Sequence, residues 1–258
     1  MKIGLCAFFE KFKLLQPGIA DYIEIPLFDI ERTSIQELKE HKARLDSLGL
    51  AAETSNGFLP GTDIMMCGKN YDVNKIIDYS RRAFDKASIF GIKTFVFGSA
   101  SARSVAEGES FEECLKQINE GYFAASEVAK EYGVDIALEP INAKEGNTLN
   151  TVSEGADLVR RLAHPNLFLL VDYFHLFQEE KPDHSVIINN ADIIRHMHIA
   201  HPVTRKAPKA TDGYDYSVLK KATDAANYGG YISVEAIFEE DYYTDAKDSV
   251  SFLRKLFE

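Results

Sequence analysis

The chain predicts an α/β fold, a closed (β/α)8 (TIM) barrel, on three observations. Eight short apolar runs rich in β-branched and aromatic residues recur along its 258 residues. Between them lie stretches whose apolar residues return every three or four positions, the period of an amphipathic helix. Glycine also stands repeatedly between a helical stretch and the next apolar run, where a left-handed C-cap belongs. Strands alternating with helices call for a parallel sheet faced with helices. Eight such units in this length fit a closed barrel occupying residues 1–258 as one domain better than an open doubly wound sheet.

In order, the apolar runs are KIGLCAF (2–8), YIEIPL (22–27), LGLAAETS (48–55), KTFVFGS (93–99), VDIALEP (134–140), LFLLVDYF (167–174), IIRHMHIA (193–200) and YISVEAI (231–237). The helical patterns include SIQELKEHKARLDSL (34–48), VNKIIDYSRRAFDKASIF (73–90), FEECLKQINEGYFAASEVAKEY (111–132) and SEGADLVRRLA (153–163). Gly49, Gly91, Gly133 and Gly229 are the expected C-caps. No GxGxxG or GxxxxGK[ST] follows a strand, so dinucleotide and Walker-type phosphate sites lack their signature.

The formal net charge of -11 argues against nucleic acid as a partner, because phosphates are bound by Lys and Arg. Cys6, Cys67 and Cys114 form no CxxC pair and read as reduced thiols of a cytoplasmic protein. No apolar stretch approaches the roughly 18 residues of a membrane span, and the N-terminal run reads as a first strand rather than a signal peptide.

A (β/α)8 barrel carries its chemistry where the strands end. Four consecutive apolar runs of the second half carry a polar residue at that place: Glu139 in ALEP, Asp172 in LLVDYFH, His198 in HMHIA and Glu235 in SVEA. Closure brings such residues to one point. Three carboxylates crowded together without a cation would be very costly to bury, so a shared metal ion is expected. Mostly oxygen donors suit Mn2+, Mg2+ or Co2+ better than Zn2+. His196, two residues deeper on the same strand face, is expected to be a hydrogen-bonded core histidine, and Glu24 in YIEIP a structural hydrogen-bond acceptor. His41, His164 and His184 read as surface residues. Phe8, Phe58 and Phe97 read as packing residues that can wall a pocket.

The segment EPINAKEGNTLNTVSEGADLVRRLAHPNLFLLVDYFH, with RHMHIAHP and GYDYSVLKKATDAANYGGYISVEA after it, closely resembles the sugar isomerase/epimerase barrels. That group contains D-tagatose 3-epimerase, D-psicose 3-epimerase and hydroxypyruvate isomerase. The resemblance is strongest over residues 134–237; NGFLP (56–60) and FGSASAR (97–103) resemble the loops after the third and fourth strands. It implies that Glu139, Asp172, His198 and Glu235 hold one divalent metal ion and that Glu139 and Glu235 are the catalytic acid/base pair. It further implies that Glu145 contacts the substrate near C1, that His175 donates a hydrogen bond to it, and that Arg205 helps to hold it. His201, in the same polar loop HPVTRKAPKATDG, is a further candidate contact.

The implied reaction moves a proton α to a carbonyl through a cis-enediolate, in a small sugar or keto-acid. Return of the proton to the opposite face is epimerisation, and return to the neighbouring carbon is aldose–ketose isomerisation. A hydroxypyruvate isomerase-like or an inosose dehydratase-like enzyme shares the first step. An endonuclease-IV-like hydrolase needs more histidines at the first strand ends, and a non-catalytic sugar-binding barrel needs no proton transfer. Ser99, Arg103, Arg205 and Lys206 are candidate donors to a substrate phosphate. Such relatives are often homo-dimers or homo-tetramers, which is what the resemblance implies about assembly.

Overall fold

The structure, a computed structural model, describes residues 1–59, 63–239 and 241–258. Pro60, the last residue of the 56–60 loop, therefore lies outside the described residues. Eight parallel strands close on themselves in sequence order: β1 (Lys2–Cys6), β2 (Tyr22–Glu24), β3 (Ala52–Ser55), β4 (Thr94–Phe97), β5 (Asp135–Leu138), β6 (Leu167–Asp172), β7 (Ile194–Ile199) and β8 (Tyr231–Val234). Outside them lie α1 (Leu27–Arg32), α2 (Ile35–Ser47), α3 (Val73–Ala87), α4 (Ala100–Arg103), α5 (Phe111–Tyr132), α6 (Val152–Leu162), α7 (Tyr173–Phe177), α8 (Ser185–Asn189), α9 (Ser217–Ala225) and α10 (Tyr242–Phe257). The predicted fold class is the observed one.

The strands are shorter than the apolar runs, because each run's last residues leave the sheet to begin a loop or helix. Pro26 is the N-cap of α1, and the Asp172 side chain caps α7 by accepting the Phe174 N–H. Capping boxes start α2 (Ser34 with Glu37) and α6 (Thr151 with Glu154), each satisfying backbone donors that the first helical turn leaves open. Gly49, Gly91 and Gly133 adopt the left-handed conformation as expected. Gly229 does not: Asn227 (φ 49°) takes that role after α9, and Ala163 (φ 47°) ends α6 without a glycine. Asparagine tolerates the left-handed region through its short polar side chain; alanine has only its small size to help it.

One irregularity in the sheet decides how the strand ends align. Leu169 pairs with Ile194 but Leu170 pairs with His196, so β7 carries one extra residue, Arg195, against β6. Beyond that slip Asp172 lies beside His198; in unbroken register it would lie beside Met197. Side chains alternate between the two faces of a strand, so one extra residue changes which of them share the barrel interior.

The interior has two characters. Val96, Ala137 and Leu170, from β4, β5 and β6, form a small apolar cluster of their own, apart from the large core between the barrel and its helices. Toward β2, β3, β7 and β8 the buried interior is polar, with Tyr22, Glu24, Thr54, His196, His198 and Ser233. Among the described residues no helix is long and apolar enough to cross a membrane.

Candidate metal centre and active site

Glu139 follows β5, Asp172 ends β6, His198 is the fifth residue of β7 and Glu235 follows β8. The ladders continue one step past the strands: the Glu139 N–H donates to the Phe97 carbonyl and the Glu235 N–H to the Ile199 carbonyl, both at 3.2 Å. The four side chains consequently share one level. One ligand atom from each lies within 4.8 Å of the other three. His198 Nδ1 is 3.5 Å from both Glu139 Oε1 and Glu235 Oε2.

Two atoms there test whether a cation fits. His198 Nδ1 and Glu139 Oε1 are buried without a hydrogen-bond partner, and both are aimed into the cluster. A buried orphan costs about 1–3 kcal/mol, and ligation is the natural satisfaction of both. Donors about 2.0–2.2 Å from one cation stand roughly 3–4 Å from each other, which matches the spacing here. Three carboxylates and one imidazole fit a divalent ion. Cys6, Glu24 and His198 also bring ligand atoms within 4.8 Å, but there the His198 Nε2 is already 2.8 Å from Glu24 Oε1.

Charges in the cluster are strongly coupled. Burial pushes the Asp172 carboxyl above its usual range. Burial alone would do the same to Glu235, but the neighbouring His198 holds it below the ordinary carboxylate range. Burial would likewise lower His198, and the charges of Glu24 and Glu235 outweigh it, holding the imidazole well above its ordinary value. Burial and then the Glu24 charge push the Cys6 thiol well up, which keeps it a thiol.

Each of three side chains of the cluster is set by a residue from the first half of the barrel. Glu24, fully buried at the end of β2, accepts from His198 Nε2. Asn56, just past β3, donates from Nδ2 to Glu235 Oε1 at 2.6 Å. Gly98, just past β4, leaves room for Glu139: a Cβ there would lie 2.1 Å from Glu139 Oε2. Neither Asn56 nor Gly98 stands out in the sequence. The available signal was their place in the NGFLP and FGSASAR loops just past β3 and β4.

The cavity beside the cluster has a volume of about 320 Å3, and Glu139, Glu145, His175, Arg205 and Glu235 all line it. Asn142 organises this wall: its Nδ2 donates to Glu145 Oε1 at 3.0 Å and lies 2.7 Å from His175 Nδ1. His175 then carries its proton on Nε2, 3.6 Å from Asp172 Oδ2. Arg205 Nη1 donates to Glu145 Oε1 at 3.1 Å, and its guanidinium lies over the Phe174 ring. Its backbone is left-handed (φ 57°), a strained state for a bulky residue and of the kind that clusters at binding sites.

His201 does not line this cavity: its Nδ1 accepts from the Val203 and Thr204 N–H groups and so shapes its own loop. Arg103 is no free phosphate donor. It is fully buried, donating to the Gly98 carbonyl, to the Tyr122 hydroxyl at 2.8 Å and to the Glu139 carbonyl at 2.9 Å, and it ties the ends of β4 and β5 together. Lys206 pairs with Glu239 beside a second cavity. Ser99 does line the site, with its hydroxyl accepting from the Leu59 N–H. His196 is a buried core histidine bonded to Glu24. His164, expected at the surface, is buried with Nε2 2.6 Å from Glu127, because the segment after α6 folds back onto α5. His41 stacks on Phe9, and His184 packs beside Tyr173. Phe58 and Phe97 stack on each other in the core, whereas Phe8 is half exposed and lines a cavity that also reaches Glu235.

The profile of the xylose isomerase-like TIM barrel family matches residues 18–256. The chain belongs to this family. Within the xylose isomerase-like barrels it is 25% identical to a ketose 3-epimerase of Arthrobacter globiformis over 92% of this chain and 80% of that one. It is 23% identical to the 3-dehydro-D-guloside 4-epimerase of Escherichia coli K12 over 98% of this chain and 99% of that one. A solved D-psicose 3-epimerase, crystallised in the presence of D-fructose, superposes with a TM-score of 0.86 at 18% identity, covering 100% of this chain and 99% of that one. Both of these relatives are carbohydrate epimerases, and the chain stands with this isomerase class of enzyme.

Proposed function

We propose that the protein is a divalent-metal-dependent epimerase or isomerase of a small sugar or keto-acid, moving a proton α to a carbonyl through a cis-enediolate. The observation that carries this reading is the cluster itself: two glutamates from β5 and β8 flank an aspartate and a histidine, with two ligand atoms left unpaired. Glu139, Asp172, His198 and Glu235 would hold the ion, with Mn2+, Mg2+ or Co2+ favoured over Zn2+ by the three oxygen donors. When bound, a divalent cation supplies Lewis acidity toward the carbonyl oxygen and orients its neighbour.

The chain's own residues do the rest. One of Glu139 and Glu235 takes the α-proton as a carboxylate, and the other returns a proton; such general acid/base work is worth about 100- to 10,000-fold. Asn56 keeps the Glu235 carboxylate from rotating. Glu145 and His175 face the cavity with their hydrogen-bond partners already fixed by Asn142, and Arg205 balances the acidic wall, its Nη2 3.6 Å from Glu235 Oε2. The relatives named as ketose epimerases support a ketose as the substrate. A phosphate is less well supported, because Arg103 and Lys206 are engaged elsewhere. No histidine stands at the ends of β1–β4, which disfavours a multi-zinc hydrolase.

The test is proton exchange. The Mn2+-loaded protein is incubated in D2O with a panel of ketoses, aldoses and hydroxypyruvate, and deuterium at carbon is followed by NMR. Site-specific exchange that Glu139→Gln reduces by about 1,000-fold is the expected result. Tight Mn2+ binding with no exchange in any substrate would count against proton transfer and favour a binding barrel.

A further inference from the structure

Glu24 takes no part in the proposed proton transfer, yet it is a fully buried carboxylate in the barrel interior. Its two oxygens are used unequally. Oε2 accepts from Ser233 Oγ at 2.6 Å and from Thr54 Oγ1 at 2.7 Å, and lies 2.7 Å from His196 Nε2. Those donors come from β8, β3 and β7, so they clamp the carboxylate from three strands. Oε1 is left with a single partner, His198 Nε2, at 2.8 Å.

We infer that Glu24 is a positioning residue for the metal centre, holding His198 in the one tautomer and orientation that offers Nδ1 to the cation. This rests on the metal-centre reading above. A carboxylate can only accept, so the ring nitrogen facing it must carry the proton. With Nε2 protonated, a neutral His198 has its lone pair on Nδ1, the atom that is buried, unpaired and 3.5 Å from both Glu139 and Glu235. The reverse tautomer would put a lone pair against the Glu24 carboxylate and a proton into the ligand cluster. The three-donor clamp adds direction: with Oε2 fully occupied the carboxylate cannot turn, and Oε1 stays aimed at the ring. A metal-ligating histidine commonly has such an acceptor behind it, and losing that acceptor costs about 10- to 100-fold in metal affinity. His196 meets the same carboxylate but has no ligand near its Nδ1, which explains why two histidines on one strand face have different fates.

The experiment is Mn2+ titration by calorimetry on the full chain and on three variants, with thermal unfolding measured alongside. Glu24→Gln should weaken Mn2+ binding about 10- to 100-fold, because the amide can turn its NH2 toward His198 and select the wrong tautomer. Thr54→Val and Ser233→Ala each remove one of the three donors that hold Oε2 and leave the acceptor opposite Nε2 in place, so each should cost clearly less Mn2+ affinity than Glu24→Gln while also lowering stability. Equal loss in all three variants, or none in Glu24→Gln, overturns the inference and leaves the metal centre standing. Failure of the unsubstituted chain to bind Mn2+ overturns the metal centre and the inference together. If Glu24→Gln does not fold, 15N-histidine NMR of the unsubstituted protein with Zn2+ as a diamagnetic probe decides the same point. His198 should show a protonated Nε2 and a metal-bound Nδ1; the opposite assignment overturns the inference.

Discussion

The two halves of the barrel mouth divide the work. From β5 to β8, every strand delivers a side chain to the candidate metal cluster: Glu139, Asp172, His198 and Glu235. From β2 to β4, the corresponding positions deliver Glu24, Asn56 and Gly98, and each acts on one of those side chains across the barrel. Glu24 faces His198, Asn56 holds Glu235, and Gly98 makes space for Glu139. Asp172 is the exception: its support is local, from the Phe174 N–H at 2.7 Å. The comparison separates what binds from what aims. Ligands must be of a few chemical types, whereas aiming can be done by an acid, an amide or the absence of a side chain.

This division is broken most severely at Gly98. Gly98→Ala places a Cβ 2.1 Å from Glu139 Oε2, so the carboxylate has to shift from its site. Expected effects are a fall of about 100-fold in Mn2+ affinity and a loss of about 1–3 kcal/mol in stability. Calorimetry and thermal unfolding check both, and unchanged affinity would show that Glu139 reaches the cation from another rotamer.

A second test concerns the charge gathered by the ligand half. His198 is held well above its ordinary value before a cation arrives, so it carries a proton at neutral pH that the cation must displace. The sign follows directly: affinity for Mn2+ rises with pH, by up to about tenfold per unit between pH 6 and 8, with one proton released. Calorimetry in buffers of different ionisation enthalpy reads the proton count, and a flat profile would mean that the cluster binds without releasing one.

The mildest effect is expected at Asn56. Removing its amide in Asn56→Ala takes a hydrogen bond of about 1.5–3 kcal/mol from a charged carboxylate that three other ligands help to hold. Proton exchange should slow about tenfold while Mn2+ affinity moves by less than about threefold. A large loss of affinity instead would make Asn56 part of the ligand support, on a par with Glu24.

Legibility in the sequence follows the same division. The ligand half could be read because a charged residue ending an apolar strand is conspicuous within a few residues. Glu145, His175 and Arg205 came from a resemblance, and all three line the cavity. His201 and Lys206, read from the same loop as Arg205, point elsewhere, since a polar loop has no period that tells which side chain turns inward. Arg103, a candidate phosphate donor in the sequence, is a buried tie between two strands.

By itself the sequence determined the alternation of strands and helices, the closed barrel class and the four side chains that meet at the strand ends, because each is written in periods and endings a few residues long. Only the tertiary structure decided how those residues meet. The extra residue in β7 selects His198 as the neighbour of Asp172, and Glu24 finds His198 from 174 positions away. Closure of the sheet creates such pairs between strands remote in the chain, and no local pattern encodes a contact whose partners are set by register and by the space left between them.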